Sequence, residues 1–474
     1  MPVVSNISKE FPVHFIGIGG IGMSGIAFTF LNRGYSVSGS DLKCTSITHR
    51  LEEAGATFYE GHCESNVPDR ATVVYSSAVT DDNPEMRRAR FAGLPIVHRA
   101  EALAWLMRDK AAIAIAGTHG KTTTTSLIAL ILQHAGLDPS AIVGGVVDAF
   151  QGNVLCGEGP YFVAEADESD GSFVNFHPFY SIITNIEEEH IGFYHDLQEI
   201  EDTFGRFIEN IVPDGKLVYN LDERNVGHLA DTCDAGLISY SICQPADFFA
   251  DDISLNGFGS TFSVFHEGKL LGTMRLSIPG IHNVSNCLAV IAVATDIGIP
   301  FETIKEAICS FLGVRRRFEV KGQVDDILVI DDYAHHPTEV MATLRSARHV
   351  ANGGRLFGVF QPHRYSRTKH LHHRFSSAFT SVDRLILTDI YGANEPLIEG
   401  IDGTTILRSV LESGQNNVEY FPDLHDIPTF LSEILRPGDV VITMGAGNIT
   451  TVADELVRKL RERNTQLVTV ASNE

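Results

Sequence analysis

The run Ala111-Ala112-Ile113-Ala114-Ile115-Ala116-Gly117-Thr118-His119-Gly120-Lys121-Thr122-Thr123 passes from a small apolar strand pattern, through a glycine turn, into G-K-T-T at the mouth of a helix. Residues Thr122–His134 continue with apolar residues on one face, as a helix would. In such a loop the backbone N–H groups cradle phosphates, the lysine reaches the β/γ oxygens, and the next hydroxyl holds Mg²⁺. The strict G-x-x-x-x-G-K spacing would need glycine at position 115, where Ile115 stands, so the loop is a variant. It still predicts ATP-phosphate binding through Gly117, Thr118, His119, Gly120, Lys121, Thr122 and Thr123.

A metal on the phosphates needs hard oxygen ligands. Glu165-Ala166-Asp167-Glu168-Ser169-Asp170 follows an apolar strand pattern, where a metal-coordinating acid is expected. Glu187-Glu188-Glu189-His190 follows another. A run of acids is otherwise a solvated face, and a histidine is an unusual partner for Mg²⁺.

Upstream, Gly17-Ile18-Gly19-Gly20-Ile21-Gly22 fits G-x-G-x-x-G between a strand pattern, Val13–Ile18, and a helix pattern, Ile21–Asn32. The glycines would allow a tight turn, close approach of a diphosphate and close helix–strand packing. Asp41 ends the next strand pattern, where it could read a ribose hydroxyl. This loop predicts nucleotide or diphosphate binding by Gly17, Gly19, Gly20, Gly22 and Asp41. Read alone, it would suggest NAD and an oxidoreductase, a reading that leaves the second loop unexplained.

Around these loops the chain alternates strand patterns, among them Tyr35–Ser38, Thr72–Tyr75 and Lys216–Asn220, with helix patterns, which argues for α/β architecture with parallel sheets. Residues 246–280 alternate polar and apolar positions, which suggests an antiparallel patch. With 474 residues, about three domains are expected at roughly 150 residues each. The patterns divide as 1–108, 109–317 and 318–474. A net charge of −24 argues against nucleic acid or an anionic membrane as partner. No apolar run reaches the ~18 residues of a membrane span, and the start lacks the basic and apolar regions of a secretory signal. The seven cysteines, at 44, 63, 156, 233, 243, 287 and 309, are scattered and free of C-x-x-C pairs, so reduced thiols in a cytoplasmic protein are expected. His335, His336, His370, His372 and His373 have no zinc-helix spacing.

In this order, G-T-H-G-K-T-T, E-A-D-E-S-D, T-N-I-E-x-x-H (Thr184–His190), H-N-x-x-N (His282–Asn286) and R-R-F-E (Arg316–Glu319) resemble the ATPase core of the Mur ligase family. D-D-Y-A-H-H-P-T-E (Asp331–Glu339) and Q-P-H-R-Y-S-R-T (Gln361–Thr368) resemble its third domain. With the first glycine loop, the pattern is similar to the family's alanine-adding branch from about residue 12 to about 455. The resemblance implies a three-domain α/β protein: Rossmann-like N- and C-terminal domains, for the UDP-sugar and for the amino acid with ATP, around a central P-loop ATPase domain. It also implies ATP-dependent ligation of L-alanine to UDP-N-acetylmuramate through an acyl phosphate, for peptidoglycan precursor synthesis.

The roles that the resemblance implies fall on named residues. Lys121 holds the β/γ phosphates and Arg317 meets the γ-phosphate. Thr122 with Glu165, and Glu165 with His190, hold two Mg²⁺ ions. Asn283 and Asn286 read adenine, and Asp332 holds the ribose. Tyr333, His363, Arg364 and Arg367 gather round the amino acid, with His363 counted among the catalytic groups. Some relatives carry a modified lysine on the helix after the E-x-x-H stretch, but around Asp202–Asn210 this chain has Arg206 and no lysine. Two other readings share the loops: a recycling ligase that adds a ready-made peptide, and a P-loop motor or switch that hydrolyses ATP without ligation.

Overall fold

The two strand patterns that lead into the glycine loops lie inside two of three sheets. The computed structural model describes residues 7–471, with side chains described to residue 465. The first sheet holds β1 (Val13–Ile16), β2 (Val37–Asp41), β3 (Thr57–Glu60), β4 (Thr72–Tyr75) and β5 (Ile96–His98). It is parallel throughout, in the order β3-β2-β1-β4-β5. Both glycine loops thus open at the carboxyl end of a central parallel strand, where α/β proteins bind ligands.

The second sheet holds β6 (Ala111–Ala116), β7 (Ser140–Val147), β8 (Gly152–Cys156), β9 (Tyr161–Glu165), β10 (Tyr180–Ile183), β11 (Lys216–Asn220), β12 (Gly236–Ser241), β13 (Phe248–Asn256), β14 (Gly259–His266) and β15 (Lys269–Leu276). Its order is β15-β14-β13-β12-β11-β10-β6-β9-β7-β8. The β13–β15 meander is antiparallel, as the alternation over 246–280 predicts. The helices Lys121–His134 and Ile281–Ile297 lie together in the core on this sheet. Both are buried over most of their length, so neither shows a strong polar face.

The third sheet holds β16 (Glu319–Val324), β17 (Ile327–Asp332), β18 (Leu356–Phe360), β19 (Arg384–Thr388), β20 (Val418–Phe421) and β21 (Val440–Met444), in the order β16-β17-β21-β18-β19-β20. Only β16 runs antiparallel.

Two local readings change. The second strand begins at Val37 and not at Tyr35, because the Tyr35 ring packs on Phe30 and Trp105 at the end of the helix Ile21–Asn32. The β7–β8 hairpin was not legible, since its register slips between Ile142 and Val147 across Gly144 and Gly145 and leaves no clean alternation. That hairpin seats the first unit: Asn153 Nδ2 donates to Ile21 O at 2.6 Å.

Candidate active site

The loop after β6 needs both of its glycines. Gly117 has φ +125°, and a Cβ there would lie 2.2 Å from Thr184 Oγ1; Gly120 has φ +86°, with Asn286 Oδ1 2.6 Å from such an atom. Thr184 Oγ1 donates to His119 O at 2.6 Å, and His119 N donates to Asn185 Oδ1 at 2.8 Å, so the strand β10 end fixes the loop. Lys121 Nζ donates to Gly117 O at 2.6 Å and to Glu168 Oε2 at 2.8 Å. Burial alone would lower the lysine pKa, but Glu168 beside it outweighs that and holds the ammonium above its usual range.

The four acids of Glu165–Asp170 face in different directions. Glu165 Oε2 accepts from Thr122 Oγ1 at 3.3 Å, and Glu165 Oε1 accepts from Gly144 N at 2.5 Å. Burial raises the Glu165 pKa. Glu168, buried, lies between Lys121 and His190, whose Nε2 is 3.2 Å from Glu168 Oε1. Asp167 and Asp170 turn instead to the first unit: Asp167 pairs with Arg99, and Asp170 accepts from Ser77 Oγ and sits 3.5 Å from His98. Burial would raise Asp167, yet Arg99 and Lys121 hold it well below the usual carboxylate range. A hydroxyl and a carboxylate in contact at the helix mouth fit a hard divalent ion, with His190 the atypical third candidate.

A cavity of about 200 Å³ on one side of the loop is lined by Asn283, Asn286, Arg317 and Asp332. Asn286 Nδ2 donates to Asn283 Oδ1 at 3.3 Å, and Asn283 Nδ2 donates to Pro279 O at 2.7 Å, so both amides are also used in shaping the helix start. Asp332 accepts from Phe318 N and Ala334 N, each at 2.7 Å, while burial pushes its carboxyl up to about 6.

A second cavity of about 580 Å³ is bordered by all three units. Ile21, Gly22 and Arg99 line it from the first, Lys121, Thr122, Glu165 and His190 from the second, and Tyr333, His363, Arg364 and Arg367 from the third. Arg317 lines both cavities, its guanidinium 5.1 Å from the Tyr333 ring centre. Burial, then Arg367, pushes His363 down to about 3, which makes it a neutral imidazole.

Five expected residues sit differently from their sequence roles. Arg367 is occupied: its Nε donates to Glu189 Oε1 at 3.0 Å and its Nη2 lies 2.9 Å from the same oxygen. Its fork therefore brackets the second and third units, leaving the half-exposed Arg364 as the freer guanidinium. Asp41 accepts from Gly19 N at 2.9 Å and from Leu42 N at 2.7 Å, so it closes its own loop. Gly17, Gly19 and Gly20 lie off the shared cavity, and of that loop Ile21 and Gly22 border it. Conversely, Glu168 and Glu187 stood in the two acidic runs without roles of their own, and Arg99 and Glu339 were missed. Of these last two, Glu339 carried a signal, as the N3 acid of a capping box in H-P-T-E.

Known proteins resemble this chain along its length. Residues 12–111 match the Mur ligase family catalytic domain, 115–294 the Mur ligase middle domain, and 316–447 the Mur ligase glutamate ligase domain. The UDP-N-acetylmuramate–L-alanine ligase of Geotalea uraniireducens is 49% identical over 452 residues, covering 95% of this chain and 98% of that protein. The crystal structure of the UDP-N-acetylmuramate–alanine ligase of Thermotoga maritima is 31% identical with a TM-score of 0.80, covering 95% of this chain and 99% of that one. A murein peptide ligase from Psychrobacter arcticus is 26% identical with a TM-score of 0.72, covering 95% and 98%.

Proposed function

This chain belongs to the Mur ligase family, and on that premise we propose that it joins L-alanine to the carboxylate of UDP-N-acetylmuramate, with ATP giving ADP and phosphate. The single observation that carries this reading is the cavity shared by the phosphate loop, the first unit's Ile21, Gly22 and Arg99, and the third unit's Tyr333, His363 and Arg364. Three substrates must meet in one water-excluding space, and here three units enclose one. High identity to curated alanine ligases supports the choice of amino acid.

A carboxylate oxygen of the sugar nucleotide attacks the γ-phosphorus, the bond to ADP breaks, and an acyl phosphate forms. The alanine nitrogen then attacks the acyl carbon, and phosphate leaves with the former carboxylate oxygen. Lys121 moves from Glu168 to the β/γ oxygens, and Arg317 meets the charge on the transferring phosphoryl group. His363, kept neutral by burial and Arg367, accepts a hydrogen bond from the alanine amine and orients its lone pair, and Arg364 takes the alanine carboxylate. Thr122, Glu165 and His190 would hold Mg²⁺, two ions by family likeness; bound Mg²⁺ neutralises phosphate charge. Asn283, Asn286 and Asp332 hold the nucleoside. No helix among the described residues is long and apolar enough to cross a membrane, and we place the reaction in the cytoplasm.

The test is a product assay by mass with ATP, Mg²⁺, UDP-N-acetylmuramate and a panel of amino acids and a tripeptide. Amide formation with L-alanine is expected. The likeness to the murein peptide ligase favours one other outcome: turnover with the tripeptide alone would replace alanine by a peptide and refute the reading above.

A further inference from the structure

His119 is the loop residue whose side chain reaches between two units, at the border of both cavities. Its Nδ1 is 3.0 Å from Glu339 Oε1, on the first turn of the third unit's helix Pro337–Ala351. Its Nε2 is 3.5 Å from Glu187 Oε1, on the second unit's loop after β10. Glu187 Oε2 in turn accepts from Thr338 Oγ1 at 2.7 Å and from Arg374 Nη2 at 2.9 Å, both of the third unit. Glu339 Oε2 accepts from His335 N at 3.0 Å, and Glu339 Oε1 is 4.0 Å from Arg317. One imidazole of the phosphate loop is thus held between a carboxylate of its own unit and one of the unit that docks over it.

We propose that Glu339 and His119 form the docking contact through which the third unit sets the phosphate loop, making both positioning residues for phosphoryl transfer. The contact joins closure to chemistry by geometry. Glu339 arrives only with the third unit, and when it does it orients the residue one place before Gly120 and lies beside Arg317. Glu339 gives His119 its side-chain hydrogen bond; the other carboxylate beside it, Glu187, stands 3.5 Å from Nε2 without one. The two carboxylates outweigh burial and push the imidazole up to about 9, so it is a cation at neutral pH and is attracted to both. His119 and Glu339 border the nucleoside cavity, but the hydrogen bonds that shape the turn come from Thr184, Asn185 and Lys121 and do not use this contact. Its loss should therefore appear in turnover at saturating ATP more than in the KM for ATP.

The inference rests on the ligase reading, and one set of assays separates the two. Phosphate release by wild type, His119→Ala, Glu339→Ala and the double variant is measured at saturating substrates and across ATP concentration. Each single variant is expected to lower kcat about 30-fold with KM for ATP within about 3-fold, and the double variant to fall little further than either single one. His119→Asn, whose Nδ2 can still donate to Glu339, should recover about 5-fold of the loss. Glu339→Gln keeps a helix-capping oxygen, so it guards against a variant that loses the helix start. Losses that multiply to about 900-fold in the double variant, or variants that raise KM for ATP at unchanged kcat, overturn the proposal. A wild type that forms no amide would instead sink the ligase reading.

Discussion

The two glycine loops share a backbone plan and differ in what surrounds it. Each follows a central parallel strand and opens a buried helix. In the first, an aspartate from the neighbouring strand takes the Gly19 amide, and the helix behind it is pinned to the β7–β8 hairpin. In the second, no such acid takes a loop amide among the described bonds; the nearby carboxylates pair with Lys121 and Thr122, side chains that a phosphate and its metal can recruit. A glycine-rich turn is therefore only a scaffold. Charge at the helix mouth decides whether it is set up for a triphosphate, and the open rim around it decides which groups reach that phosphate.

The sharpest way to break this contrast is Lys121→Ala, expected to lower ligation by at least about a thousandfold in phosphate-release assays. No first-loop side chain should match it, and near-wild-type turnover in the folded variant would erase the distinction. Arg317→Ala follows, with kcat down about a hundredfold or more and the ATP dissociation constant, read by calorimetry, changed less than about 5-fold. An effect confined to ATP affinity would make Arg317 a ground-state contact. Asp41→Ala tests the other loop: freeing the Gly19 amide should raise the KM for the sugar nucleotide about 10-fold, at unchanged KM for ATP. If KM for ATP moved instead, the two loops would not have separate ligands.

The smallest effect is a pH dependence of stability. The His119 pKa is raised from 6.5 to about 9 in the folded chain, so its stabilising contribution is complete below pH 6.5 and is lost as pH rises through 9. The melting-temperature gap between wild type and His119→Ala should narrow over that range. A gap that stays constant would mean the imidazole is not held protonated.

Contiguous groupings of side chains were legible in the sequence and long-range pairs were not. Lys121, Thr122 and Glu165 stand in runs whose strand and helix context is local, and the strand patterns Thr72–Tyr75 and Lys216–Asn220 appear as strands with those bounds. Glu168 looked like one acid among four, because its partner Lys121 lies 47 residues earlier. Arg367 was expected beside the amino acid, and the anion it holds is Glu189, 178 residues away. Which acid a guanidinium meets depends on how the units dock, and periodicity within one segment carries no record of that. The β7–β8 hairpin was lost for a local reason, the broken register across Gly144 and Gly145.

The central claim is that the second loop delivers a γ-phosphoryl group to a substrate carboxylate. The most direct test supplies UDP-N-acetylmuramate labelled with ¹⁸O in that carboxylate, together with ATP, Mg²⁺ and L-alanine, and weighs the phosphate released. Transfer through an acyl phosphate predicts one ¹⁸O in each phosphate formed during ligation. Unlabelled phosphate accompanying amide product would contradict it.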